Sequence, residues 1–197
     1  MTGNRGQETA KAMRIGYVAV GSNLQTATRT SLEIVDEALG LFLGAKIRIT
    51  KQSQWYSAPA FPVGNGPDYV NGVVKIESDM PSKAIMAALH NIEKTLGRVR
   101  PKRWASRVID LDLLANGDEV APNPASFARW LELTLVEQME AEPKTLILPH
   151  PRMQDRAFVL KPLAEIAPEW QHPVLHKSAR DLLAALPVED RNEIQPL

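Results

Sequence analysis

Two aspartates alternate with apolar residues in the run Arg107-Val108-Ile109-Asp110-Leu111-Asp112-Leu113-Leu114. A period of two is the pattern of a β-strand, so 107–115 is expected to turn Asp110 and Asp112 to one face and Ile109, Leu111 and Leu113 to the other, against a core. Adjacent carboxylates repel each other unless something positive lies on them. A divalent cation is a natural partner, because Mg²⁺ is commonly held by one or two carboxylates and completes its octahedron with water and phosphate oxygens. The preceding stretch, Arg98 to Arg107, carries five basic residues and no acidic one. Carboxylates for a metal beside guanidinium groups for anions read as a polyphosphate site.

Each feature alone has a plainer reading: alternating aspartates often mark a solvated strand face, and a run of arginines is usually a surface loop. Exposed salt bridges between the two groups would contribute little to stability, so they give no physical reason for such a density of charge.

The rest of the composition narrows the setting. A chain of 197 residues, 44% of them hydrophobic, is long enough for one sizeable core, and 13–197 is expected to form a single domain behind a disordered tail at 1–12. Lys+Arg and Asp+Glu balance at 23 each, so no overall field gathers nucleic acid or an anionic membrane, and any anion site must be local. The chain has no cysteine, which leaves oxygen and histidine as metal ligands and fits a reducing compartment. No stretch is long and apolar enough for a membrane span and residues 1–12 lack the apolar centre of a signal peptide, so a cytoplasmic location is expected.

Periodicity sets the element order. Residues 14–20 read as a buried strand ended by Gly21-Ser22-Asn23, and Thr28 or Thr30 can cap a helix that runs to Gly44 through Leu32, Ile34, Val35, Ala38, Leu39 and Phe42. Strands are predicted over 46–56 and 69–78, separated by a Pro/Gly loop from Ser57 to Asp68. Pro81 suits the first turn of a helix to about Gly97, with Ile85, Met86, Leu89, Ile92 and Leu96 inward. With the strand at 107–115 the order is βαββαβ, an α+β ferredoxin-like core whose antiparallel sheet carries both helices on one face. Helices expected at 156–166 (Phe158, Leu160, Leu163, Ile166) and 178–186 (Leu182, Leu183, Leu186) would cover the other face, giving helices on both faces. A further amphipathic segment at 124–141 has Phe127, Trp130, Leu131, Leu135 and Met139 on one stripe.

Four motifs in this order resemble those of the 6-hydroxymethyl-7,8-dihydropterin pyrophosphokinase family: Gly21-Ser22-Asn23-Leu24; Pro67-Asp68-Tyr69-Val70-Asn71; Glu93 through Arg107 into Asp110-Leu111-Asp112; and Leu148-Pro149-His150-Pro151 followed by Arg156-Ala157-Phe158. The similarity spans roughly Arg14 to Pro187, and Gly97 to Asp112 is its most specific block. The resemblance implies an enzyme of folate biosynthesis that transfers a pyrophosphoryl group from ATP to the pterin hydroxymethyl oxygen and releases AMP. It implies Asp110 and Asp112 as ligands of two Mg²⁺ ions; Arg98, Arg100, Arg107, His150 and Arg156 as ATP ligands; and Arg98, Arg107, Asp110 and Asp112 as the catalytic set. Attack on the β-phosphorus in such a reaction builds charge on non-bridging oxygens and on the leaving AMP, which alignment and placed cations meet with little covalent chemistry asked of the protein.

A pterin needs ring faces and polar groups at its rim. The resemblance implies Tyr69 and Phe158 as the stacking pair, Asn71 and the Ser57-to-Phe61 segment (Ala58, Pro59, Phe61) as edge readers, and Trp104 as a lid. Taken alone, Tyr69 and Phe158 would more often be core residues. Asn71 shares a strand face with Tyr69, and an amide in mid-strand is poorly explained by packing. Glu93 is read either as a neighbour of the site that orients arginines or as a surface ion pair with Lys94 or Arg98. Lys102 and Arg103 read equally as phosphate ligands or as a solvated loop tip, and His90, His172 and His176 are assigned surface or structural places. Gly21 lets backbone approach a ligand, although turn glycines have ordinary conformational reasons as well.

The chain departs from the family pattern at Ala58, Phe61 and Pro151, and in an insertion from about Pro122 to Pro143. The insertion is expected to pack a helix on the outside of the domain through Trp130, and it offers a surface for self-association of what otherwise reads as a monomer. An RNA-binding module on this fold would need a basic surface and exposed sheet aromatics, whereas this chain is neutral with 6% aromatic residues. The closer rival is a metal-dependent nucleotidyltransferase or nuclease, which also uses paired carboxylates and arginines.

Overall fold

The computed structural model describes residues 12–60, 66–97, 108–134, 137, 143 and 145–197. The disordered tail expected at the N-terminus falls, up to residue 11, outside the described residues. Among those described, strands β1 (Arg14–Ser22), β2 (Arg48–Gln52), β3 (Tyr56–Ala58), β4 (Tyr69–Ser78), β5 (Asp110–Asn116) and β6 (Gln195–Pro196) form one antiparallel sheet. The strand order is β5-β1-β4-β3-β6, with β2 also paired to β4. β1 and β4 at the centre, flanked by β5 and by β2/β3, give the ferredoxin-like arrangement expected from the sequence. Helices bounded within the described residues are α1 (Ser31–Leu41), α2 (Ser82–Thr95), α3 (Pro124–Leu131), α4 (Ala157–Ile166), α5 (Ala179–Ala185) and α6 (Val188–Glu193).

Local chemistry explains the boundaries. Thr30 caps α1: its Oγ1 accepts from Glu33 N–H at 3.3 Å while Glu33 Oε2 accepts from Thr30 N–H at 2.7 Å. α1 stops at Leu41, short of Gly44, because the chain tightens into a 3₁₀ turn over Leu43–Ala45 that ends on Lys46 in the left-handed region, φ 61°. Pro81 stands just before α2 rather than in its first turn, at ψ 151°, and its carbonyl accepts from Ala84 and Ile85. The strand expected over 46–56 is divided into β2 and β3 by Ser53, whose hydroxyl accepts from Val73 N–H at 3.0 Å in place of a ladder partner.

Side-chain alternation separates two cores across the sheet. Val18, Val20, Val74, Ile76, Ile109, Leu111 and Leu113 pack against Ile34, Val35 and Ala38 of α1 and Ile85, Leu89 and Ile92 of α2. On the opposite face Tyr17, Val73, Leu114 and Ala115 pack against Val159, Leu160 and Leu163 of α4 and Leu182 of α5. Leu114 and Ala115 join the same face because the β1–β5 register shifts between Tyr17 and Val18.

The insertion leaves and rejoins the body at Ala121 and Leu148, which exchange backbone hydrogen bonds of 2.9 and 3.0 Å. Its first helix, α3, ends at Leu131, and Leu135 and Met139 lie outside the described residues. The anchor is Phe127, fully buried with its ring 5.5 Å from that of His172, and Trp130 is only half-buried. Phe127 wins because its position on α3 faces the body, whereas Trp130 falls toward the rim of the same helix. Among the described residues no helix is long and apolar enough to cross a membrane.

Candidate active site

Gly21 occupies the centre of a row across the sheet: Asp110 pairs with Gly21, Gly21 with Asn71, and Asn71 with Tyr56. Asp112 pairs with Ala19 in the next row of that face. Tyr69, Asn71, Gly21, Asp110 and Asp112 therefore share one side of the sheet, the side on which α4 packs. A Cβ at residue 21 would stand 3.0 Å from Asn71 Oδ1 and 3.9 Å from a ring carbon of Tyr69, so the glycine clears floor space between the acidic strand and the polar one. Both aspartates are half-buried, each between inward-facing neighbours.

The remaining described groups arrive from the C-terminal half. His150 N–H donates to Leu114 O at 2.8 Å, which ties its segment to β5 and sets the imidazole Nε2 3.9 Å from Asp112 Oδ2. Arg152 N–H donates to His150 Nδ1 at 3.2 Å. Burial first, and then the Arg156 and Arg152 charges, push the His150 pKa down to about 3, while Asp110 opposes the shift; the ring is neutral near pH 7 and carries its proton on Nε2, toward Asp112. Arg156, at the start of α4, brings Nη1 3.9 Å from Asp112 Oδ2 and sets its guanidinium 5.6 Å from the Phe158 ring centroid. Asp112 thus faces two groups that can also reach a phosphate.

Tyr69 and Phe158 are half-buried, Asn71 and Ala58 buried and Pro59 half-buried. Arg98, Arg100, Lys102, Arg103, Trp104, Arg107 and Phe61 lie outside the described residues. Glu93 is 2% exposed, which removes the surface ion pair as its place; its Oε1 accepts from Leu111 N–H at 2.8 Å, between the two aspartates. Asn23, also buried, donates from Nδ2 to Pro67 O at 3.2 Å and joins the turn after β1 to the loop that enters β4. The sequence placed Asn23 only in the turn that ends β1 and in the first family motif; its bond to Pro67 arises from residues 44 apart.

The donor chemistry fits Mg²⁺. Asp110 and Asp112 offer hard oxygen ligands of the kind this ion prefers, and Mg²⁺ commonly completes its octahedron with water and phosphate oxygens. An acidic pair and nearby cations on a ferredoxin-like sheet define the class: an enzyme of phosphoryl-group transfer.

The family model for 7,8-dihydro-6-hydroxymethylpterin-pyrophosphokinase (HPPK) matches residues 17–168. The chain is 33% identical over 157 residues to the 2-amino-4-hydroxy-6-hydroxymethyldihydropteridine pyrophosphokinase of Synechocystis sp., covering 80% of this chain and 68% of the relative. It is likewise 33% identical over 174 residues to the protein of that name from Pseudomonas aeruginosa, covering 88% and 92%. A crystal structure of the Plasmodium falciparum HPPK-DHPS triple mutant shares the fold with a TM-score of 0.61 at 16% identity, over 90% of this chain and 45% of that longer one. The chain belongs to the HPPK family and is a pyrophosphokinase.

Proposed function

We propose that the family reaction, transfer of a pyrophosphoryl group from ATP to the hydroxymethyl oxygen of 6-hydroxymethyl-7,8-dihydropterin with release of AMP, takes place on the sheet face that carries Asp110, Asp112, Asn71 and Tyr69. The observation that carries this reading is the row Asp110–Gly21–Asn71, which sets a carboxylate strand beside a polar, aromatic one with a side-chain-free position between them. Asp110 and Asp112 would hold two Mg²⁺ ions. When bound, the metal neutralises triphosphate charge and acidifies the attacking hydroxyl. Arg156, with Arg98, Arg100 and Arg107 from the basic segment, grips the phosphates, because a planar guanidinium meets phosphate oxygens two at a time. Neutral His150 donates from Nε2 to a phosphate oxygen without adding charge.

Tyr69 and Phe158 sandwich the pterin ring, Asn71 and the Ser57-to-Phe61 backbone, with Ala58, Pro59 and Phe61, read its edge, and Trp104 serves as the lid residue. No side chain is assigned as a general base. Alignment and charge compensation supply the rate, as expected when a loose phosphoryl transition state leaves little covalent work. Residues 13–197 act as one domain, in support of which both cores rest on the same sheet, and we take that domain as a monomer.

The test is AMP release from ATP in the presence and absence of the reduced hydroxymethylpterin. Pterin-dependent AMP is expected. Release of pyrophosphate, or cleavage of a nucleic acid, would point to the nucleotidyltransferase or nuclease class instead.

A further inference from the structure

Phe158, Lys161 and Glu165 lie on one face of α4 at helical spacing, and that face looks onto β3 and the chain's C-terminal segment. Lys161 Nζ donates to two backbone carbonyls of that segment, Arg191 O at 3.1 Å and Ile194 O at 2.5 Å, and sits 5.8 Å from the Tyr56 ring centroid. Glu165 accepts from Tyr56 Oη at 2.9 Å and from Gln54 N–H at 3.1 Å. Beyond Ile194, β6 pairs with the outer side of β3, Gln195 opposite Ser57 and Pro196 opposite Tyr56, and Leu197 N–H donates to Trp55 O at 3.0 Å. Ile194, 4% exposed, forms a small core with Tyr56, Ala58 and Ala157, and Phe158 packs against that core.

We infer that the C-terminal segment 188–197 is the back wall of the pterin pocket, and that Lys161 and Ile194 are positioning residues for the pterin. The inference rests on the reading above, in which Ala58 and Phe158 contact the ring. β3 has only three residues, held on its inner side by β4, and its outer side is met by a β6 of only two residues, a pairing too short to hold without further support. Lys161 fixes the segment by charge-assisted bonds to its carbonyls, and Ile194 fills the space behind both pterin contacts. Loosening either lowers the fraction of molecules whose pocket is formed, which weakens apparent pterin affinity by that fraction. The carboxylate side escapes, because β5 stands at the other end of the strand order from β3 and β6.

The experiment measures kcat and separate KM values for pterin and ATP in Lys161→Met, Lys161→Arg, Ile194→Ala and Asn71→Ala, with a thermal melt of each. Lys161→Met and Ile194→Ala are expected to raise the pterin KM roughly tenfold, with kcat at saturation and the ATP KM within about twofold of wild type. Lys161→Arg, which keeps the donors, recovers most of the loss. Should Ile194→Ala fail to fold, Ile194→Val replaces it, with a pterin-selective rise of about twofold expected. Equal rises in both KM values, or unchanged pterin KM in the Lys161 and Ile194 variants while Asn71→Ala raises it, overturn the inference alone. An unchanged pterin KM in Asn71→Ala as well would sink the assignment of the pterin face itself.

Discussion

Glu93 Oε1 accepts a hydrogen bond of 2.8 Å from the backbone N–H of Leu111, the residue between Asp110 and Asp112. β5 ends the strand order, so a carboxylate from α2 satisfies a backbone donor there and fixes the strand segment that carries both acids. Glu93→Ala would leave that buried N–H unmet, at a cost of about 1–3 kcal/mol, and would loosen the acidic pair. Denaturant unfolding is expected to show that loss, together with reduced turnover, whereas Glu93→Gln, which keeps an acceptor oxygen, should lose much less stability. Equal stability of Glu93→Ala and wild type would refute the role.

The acidic pair itself should behave in the opposite way. Asp110→Ala and Asp112→Ala each remove a carboxylate whose neighbour repels it in the metal-free protein, so both variants should remain folded. Turnover should fall by at least about a hundredfold in each, in line with the removal of a group that stabilises transition-state charge. Near-normal AMP release by either variant would rule out the metal assignment.

Gly21→Ala tests the cleared floor between the strands. The added methyl would stand 3.0 Å from Asn71 Oδ1, tight enough to displace the amide while leaving the sheet intact. A melt within roughly 1–2 kcal/mol of wild type is expected, with a raised pterin KM. Unchanged kinetics would mean that no ligand approaches that position.

His172 gives the chain an acid sensitivity remote from the chemistry. Fully buried, with rings of Phe127 and Trp170 at 5.5 and 5.7 Å, it accepts from Val174 and Leu175 N–H through Nδ1. Burial, with a smaller push from His176, lowers its pKa to about 4. The unfolded chain binds a proton near pH 6.5 that the folded chain refuses until about pH 4, so stability is full above the former value and falls as pH drops toward the latter. The slope from this residue is on the order of 1 kcal/mol per pH unit inside that window. His172→Gln should flatten the decline between pH 6.5 and 4 in a series of melts, even if it lowers stability at pH 7; an unaltered slope would assign the acid response to other groups.

The local sequence by itself determined the elements that rest on short-range rules. Asp110-Leu111-Asp112 alternates across a strand as expected, Thr30, one of two candidate caps, starts α1, and 69–78 came out as a strand at both expected ends. The family motifs likewise named Asp112, His150 and Arg156, and the fold sets His150 Nε2 and Arg156 Nη1 each 3.9 Å from Asp112 Oδ2. Only the tertiary structure decided that Glu93 turns inward to Leu111, that Phe127 rather than Trp130 anchors the insertion, and that Ile194 stands behind Ala58 and Phe158. The reason is separation along the chain. Periodicity and capping arise from neighbours within a turn or a pleat, whereas the partners of Glu93, Phe127 and Ile194 are brought near by the packing of helices onto a sheet, which no local pattern encodes.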